Sequence, residues 1–206
     1  MSLVLDPGVV ATAFVPLLLL ELPDKTFVAT LVLATRYRPL AAWIGVGLAF
    51  GVQCVIAVTA GGLLSRLPTT PVAVAAAGLF AAGAVLLWRG SAGADEEEEK
   101  EEEEFAERVH GSGGGPRAVA ASFLLIFVAE WGDLSQLFTA GLAARYADPV
   151  SVFVGAWGAL LVVAGLGALL GRALLARLRL GTIRRAGAVI CALLAVVTLV
   201  EALRTL

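Results

Sequence analysis

The sequence predicts an all-α, polytopic membrane protein whose six transmembrane helices form two inverted three-helix repeats. Three observations carry that prediction. Hydrophobic residues make up 59% of the 206-residue chain and charged residues only 16%, whereas a soluble domain is about a quarter charged. Six apolar stretches approach or exceed the roughly 20 residues a helix needs to cross a bilayer. The first and fourth of them carry the same acidic hexad, Glu21-Leu22-Pro23-Asp24-Lys25-Thr26 and Glu130-Trp131-Gly132-Asp133-Leu134-Ser135, 109 positions apart.

Taken in order, the predicted spans are Pro7 to Arg36, Leu40 to Leu64, Pro71 to Trp88, Arg117 to Arg145, Pro149 to Leu175 and Thr182 to Leu203. Pro39, Pro68, Pro71 and Pro149 stand at the joins, where a missing amide and a restricted preceding residue favour ending a helix. Met1 to Asp6 lack the basic n-region of a secretory signal, and the first apolar run contains Glu21 and Asp24. That run is expected to be a retained membrane helix. Residues 1–90 then make the first three-helix repeat, 91–116 an acidic and glycine-rich cytosolic linker, and 117–206 the second repeat. Ten of the seventeen acids lie between Asp95 and Glu107 in that linker, so the net charge of -2 describes a solvated loop and carries no message about partners. A transient helix over Asp95 to Arg108 is compatible with the pattern.

Loop charge sets the orientation. Eleven of the fifteen Lys and Arg residues fall at the first, third and fifth connections, and three (Arg66, Arg145, Arg204) at the opposite ends. Short basic loops stay in the cytoplasm, which places both termini outside and the linker in the cytosol. The low Lys count beside abundant Ala, Gly and Arg points to a GC-rich bacterial genome, hence to a bacterial plasma membrane.

The repeat continues past the hexads. Thr30 aligns with Thr139, Leu33 with Leu142, Ala34 with Ala143, Arg36 with Arg145 and Tyr37 with Tyr146. Further on, Gly61 to Arg66 resembles Gly167 to Arg172 at a shift of 106, which implies a small insertion or deletion between. Each half holds an odd number of spans, so the second enters the membrane in the opposite sense. Inverted repeats with a site near the midplane are a transporter architecture.

The hexads are the candidate site. A carboxylate at bilayer depth costs roughly 2.5–3.5 kcal/mol on insertion scales, so four are a penalty on the order of 10 kcal/mol. Glu21 and Asp24, and Glu130 and Asp133, are three residues apart and project from one face of a helix. With the hydroxyls of Thr26 and Ser135 and the amide of Gln136 they make an all-oxygen donor set suited to hard cations such as Ca²⁺, Mn²⁺ and Mg²⁺. The single histidine, His110, is in the linker, and Cys54 and Cys191 lie far from the hexads in sequence, so a zinc, copper or haem site has no obvious ligands. The two thiols read as small buried hydrophobes. Pro23 removes a donor and Gly132 loosens the chain, so each helix is expected to be interrupted at its hexad, which is tolerated where the backbone lines a cavity or packs on protein.

Four acids against Lys25 leave a charge of -3 if all ionise, too much for a low-dielectric site. A divalent ion offsets two of those charges, and protons must replace it when it leaves. Cation and protons therefore compete for one cluster. The bland alternative is a static ion network that braces the helices. Gly45, Gly47, Gly51, Gly155, Gly158, Gly165 and Gly167 read as close helix packing, Trp43, Trp88 and Trp157 as belt or core aromatics, and Trp131 as a residue that could gate the site. Gln53 reads equally as helix glue or as a polar lining residue.

Two copies of E-x-G-D-[KR]-[TS] in inverted three-helix halves separated by an acidic loop resemble the GDT family of Ca²⁺/Mn²⁺:proton antiporters, which includes the Golgi manganese transporter of eukaryotes and belongs to the lysine-exporter superfamily. The resemblance covers nearly the whole chain. It implies that Glu21, Asp24, Glu130 and Asp133 bind the cation, with hydroxyls from Thr26 and Ser135. The chain departs from the pattern at Pro23, where Gly is usual, and at Leu134, where a basic residue is usual.

The function expected is export of Mn²⁺, with Ca²⁺ as the other candidate, from the cytosol in exchange for protons by alternating access. The alternatives are an exporter of a cationic amino acid and a passive cation channel. An enzyme is not expected, because no nucleophile, base and oxyanion donor can be assembled. No cofactor is expected beyond the transported ion. The expected partners are divalent cation, protons and membrane lipid, with no nucleic acid, and a homodimer is compatible with the sequence.

Overall fold

The computed structural model describes residues 5–22, 25–66, 68–92, 100, 103, 106–107, 115–175 and 180–204. Most of the acidic linker, His110, Pro23 and Asp24 lie outside the described residues, as do the side chains of Lys25 and of residues 170–184. Among the described residues the chain is all helical. The helices are α1 (Pro7–Glu21), α2 (Lys25–Arg36), α3 (Pro39–Leu64), α4 (Thr69–Gly90), α5 (Pro116–Ala129), α6 (Leu134–Tyr146), α7 (Pro149–Leu175) and α8 (Leu180–Arg204). Asp6 starts α1 by accepting from the amides of Gly8 (2.8 Å) and Val9 (3.2 Å), with Pro7 behind it at the first helical position. Asp148 does the same for α7 through the Ser151 amide at 3.1 Å.

Among the described residues three helices are long and apolar enough to cross a membrane: Pro39–Leu64, Thr70–Gly90 and Pro149–Leu169. The pair α5 and α6 adds a fourth span if counted as one, bent by 75°. The predicted first and fourth spans are therefore each divided at the hexad, into α1 and α2 and into α5 and α6, while α3, α4 and α7 run unbroken. Large apolar side chains point outward along the unbroken helices: Leu48, Val52, Val55 and Leu63 on α3, and Leu86 and Trp88 on α4. Such a surface suits hydrocarbon and not water, and the protein is an integral membrane protein.

The two halves interlock. α3 runs alongside α5 and then α6, while α7 runs alongside α1 and then α2. A Cβ on Gly45 would run into the carbonyl oxygen of Val119 and the side chain of Ser122; one on Gly155 would run into the carbonyl oxygen of Val10 and the side chain of Ala13. Val119 and Ser122 follow Val10 and Ala13 by 109, and Gly155 follows Gly45 by 110, so one contact is made twice. α3 and α7 cross between these seams. There Trp43 donates its indole N–H to the Leu161 carbonyl at 3.0 Å and Trp157 donates to the Gly47 carbonyl at 2.9 Å. Residue numbers rise on one helix as they fall on the other, so these equivalent helices are antiparallel. Trp43 and Trp157 are thus core aromatics that clamp the crossing.

One expectation from the sequence needs correction. Gly61 packs on Ala140 and Ala143 of α6, and Gly167 on Phe27 and Thr30 of α2. Thr30 corresponds to Thr139, four residues before Ala143, so Gly167 does Gly61's work one helical turn earlier. The 106-residue similarity is a one-turn slip of a small-residue pattern, and the insertion expected between the hexads and this helix is one residue, the step from a shift of 109 to one of 110.

Candidate metal centre

The site is built where helices stop. α1 ends on Glu21, with the Leu22 amide still donating to Leu18 O at 3.0 Å, and α2 starts at Lys25. In the second half Glu130 caps α5 with its amide on Ile126 O at 2.9 Å. The Trp131 amide then turns to Val128 O at 3.4 Å instead of continuing the α-helical ladder. Gly132 follows at φ +77°, the left-handed region that side chains with a Cβ rarely adopt. Asp133 is extended and stands at the N-cap position of α6. The oxygen of Gln136 accepts from the Gly132 amide at 2.9 Å and closes this corner. The interruption expected at Gly132 is present, and its backbone favours a glycine there.

These breaks bring three acids together from two halves. Glu21, Glu130 and Asp133 each offer one carboxylate oxygen, and the three oxygens lie within 4.8 Å of one another. Glu21 and Glu130 are almost fully buried, at 0% and 1% exposed, and Asp133 is half-buried. Carboxylates this close in a dry site cannot all carry charge without a counter-charge. A proton or a bound cation can supply it. A cation is the ligand for which converging oxygens at this spacing are suited, since Ca²⁺ takes oxygen donors at 2.3–2.6 Å.

The hydroxyl residues sit in matching places. Thr26 in the first turn of α2 and Ser135 in the first turn of α6 are both buried, and Thr26 Oγ1 has no hydrogen-bond partner among the described residues. Four residues on, Thr30 donates to Thr26 O at 2.8 Å and Thr139 to Ser135 O at 2.7 Å.

The profile of the family described as "Divalent cation/proton antiporter GDT1" matches residues 9–95 and 118–206. The chain belongs to this family. Its two matched segments each contain one acidic break. A relative, the GDT1-like protein sll0615 of Synechocystis sp., is 38% identical over 151 residues, covering 65% of this chain and 70% of that protein. No solved structure matches the chain. As a member of the GDT1 family the chain is a divalent cation/proton antiporter, and the family is one of transporters.

Of the residues singled out from the sequence, the GDT1 fold brings Glu21, Glu130 and Asp133 together and places Thr26, Ser135 and Gln136 in the first turns beside the breaks. Asp24 lies outside the described residues. Trp131 is 60% exposed, with its ring packed edge-on against Phe127 at 5.1 Å, so it flanks the site without covering it. One residue gains a place that the sequence left open. Gln53 of α3 donates from Nε2 to the Phe127 carbonyl at 3.1 Å, next to the second break. Cys54, its neighbour on α3, is buried as the sequence suggested.

Proposed function

We propose that the chain exports Mn²⁺, or Ca²⁺, from the cytosol in exchange for protons, by alternating access through two inverted three-span halves. Termini outside, a cytosolic acidic linker and a bacterial plasma membrane complete this reading. Glu21, Asp24, Glu130 and Asp133 act as cation ligands that take up protons when the ion leaves, and the Thr26 and Ser135 hydroxyls fill further positions. Gln136 contributes only through the second lone pair of an oxygen already holding the Gly132 amide. The observation that carries the proposal is the meeting of Glu21 from one half with Glu130 and Asp133 from the other at helix breaks. A cluster shared between two halves changes its exposure when one half moves against the other. A brace made within one half would not.

Two protons against one divalent ion make the exchange electroneutral. Fewer would make it sensitive to potential, at about 2.3 kcal/mol per charge per 100 mV. The test is proton flux in proteoliposomes with an imposed pH gradient. Mn²⁺-dependent proton movement, lost in Glu21→Gln and in Asp133→Asn, is the expected result. Cation uptake that persists after the gradient is collapsed would indicate a passive pore. Displacement of Mn²⁺ by lysine or arginine would indicate an amino-acid exporter.

A further inference from the structure

The α5–α6 break creates a problem that its counterpart handles differently. In a continuous helix the Phe127 carbonyl would accept from the Trp131 amide, but that amide is bonded to Val128 O. The Phe127 carbonyl is thereby freed at membrane depth, where an unmet acceptor is costly. Gln53, 5% exposed on α3, meets it with Nε2 at 3.1 Å. In the first half the matching carbonyl is Leu18, 109 positions earlier, and it still accepts from the Leu22 amide at 3.0 Å. The residue of α7 that matches Gln53, 110 positions later, is Val163, fully buried and apolar. A glutamine is present on the seam with a freed carbonyl, and a valine on the seam without one.

We infer that Gln53 is a positioning residue for the cation site: by capping the Phe127 carbonyl from α3 it fixes the last turn of α5 and hence the direction in which Glu130 presents its carboxylate. Glu130 is three residues beyond Phe127, and its own amide is bonded within that turn, to Ile126 O. The far side of the corner is tied by Gln136 on the Gly132 amide. Glu130 and Asp133 are thus held between two glutamine amides, one from α6 itself and one from the neighbouring helix. Loss of the Gln53 donor leaves the carbonyl to find another partner. The accessible one is the Trp131 amide, which requires the turn to wind on as helix and carries Glu130 away from Glu21.

The inference rests on Glu130 being a cation ligand, so the experiment tests both together. Mn²⁺ is titrated calorimetrically into the purified full chain in detergent, for wild type, Gln53→Met, Gln53→Asn and Glu130→Gln. Gln53→Met keeps the volume and removes the donor; about ten-fold weaker Mn²⁺ binding is expected. Gln53→Asn keeps a donor one methylene short and should weaken binding about three-fold. If Gln53→Met does not assemble, Gln53→Asn decides. The Gln53→Met effect should also be non-additive with Glu130→Asp and additive with Glu21→Asp, a difference that a general loss of stability would not produce. Wild-type affinity in both Gln53 variants, with binding lost in Glu130→Gln, would overturn the role of Gln53 alone. Wild-type affinity in Glu130→Gln would overturn the site assignment, and with it the role built on it.

Discussion

Replacing Gly132 with alanine isolates the backbone of the break from its packing. Gly132 is at φ +77°, and nothing lies within 4 Å of the position a Cβ would take. Any effect therefore comes from conformation and not from collision. An L-residue in the left-handed region costs roughly 1–2 kcal/mol. The straightened alternative, α5 running on into α6, gains about 1 kcal/mol when glycine becomes alanine in a helix. The bent form is thus disfavoured by about 2–3 kcal/mol in total, a factor of roughly 30 to 150 at about 1.4 kcal/mol per ten-fold. If the bent form is the one that gathers Glu130 and Asp133 toward Glu21, Mn²⁺ affinity should fall by a factor of that order in calorimetric titration of Gly132→Ala. Gly132→Asn should recover part of the loss, since asparagine tolerates the left-handed region better than alanine does. Gly62→Ala, also with nothing within 4 Å but inside α3, serves as a control and should bind like wild type. Wild-type affinity in Gly132→Ala would refute the link between the bend and the site.

Gly45→Ala and Gly155→Ala should each destabilise the protein by about 1–3 kcal/mol, because the new methyl meets a backbone carbonyl that cannot move aside; matched losses in thermal unfolding would reflect the repeated seam. Ala147 ends α6 at φ +50° and is exposed, so Ala147→Gly should stabilise by about 1 kcal/mol, visible as a raised melting temperature with transport unchanged. The hydroxyl of Ser151, and secondarily its amide, hold the Asp148 carboxyl below its ordinary value of 3.8. That cap is fully formed above the ordinary value and is lost as pH falls through the lowered one. Asp148→Ala should cost about 1 kcal/mol at neutral pH, and the difference from wild type should shrink below pH 3.8.

The acids that converge could be singled out because hydrocarbon makes them expensive. Glu21 and Glu130 stand out in apolar runs, and their recurrence at a fixed shift revealed both the halves and the inversion. The breaks were legible too, since Gly132 is a residue whose only local justification is an unusual backbone. Residues that serve the site from another helix were less accessible. Gln53 is a polar residue in an apolar helix whether it glues, lines or caps, and only the freed Phe127 carbonyl separates these uses. The register of α3 against α7 was misread for a related reason. Small residues recur at one-turn intervals on both helices, so similarity scores almost as well one turn out of phase. The contacts of Gly45 and Gly155 fix the phase because each backbone approach is too close to slip.

Two inverted halves of identical sequence would make the inward-facing and outward-facing states interchangeable, and their energies equal. Under the alternating access proposed above, every local difference between the halves therefore acts as a bias on that equilibrium, whatever else it does. In this chain the acids are duplicated, while their supports are not. One break carries Pro23 and the other Gly132; Gln53 is answered by Val163, and Ser122 by Ala13. The polar member of each of the last two pairs lies on the seam between α3 and α5, where Gln53 bonds the Phe127 carbonyl in mid-seam, whereas the seam between α7 and α1 has its directional contact at one end, from the Asp6 amide to Ser151 Oγ at 2.9 Å. A bound ion contributes similarly to both states if the same acids hold it in each, and a ligand of equal affinity shifts no equilibrium. In the alternating access proposed above, the resting preference then comes from these unequal supports. The α3–α5 seam is the place to look for substitutions that change which side the empty site faces while leaving cation affinity in the occupied state intact.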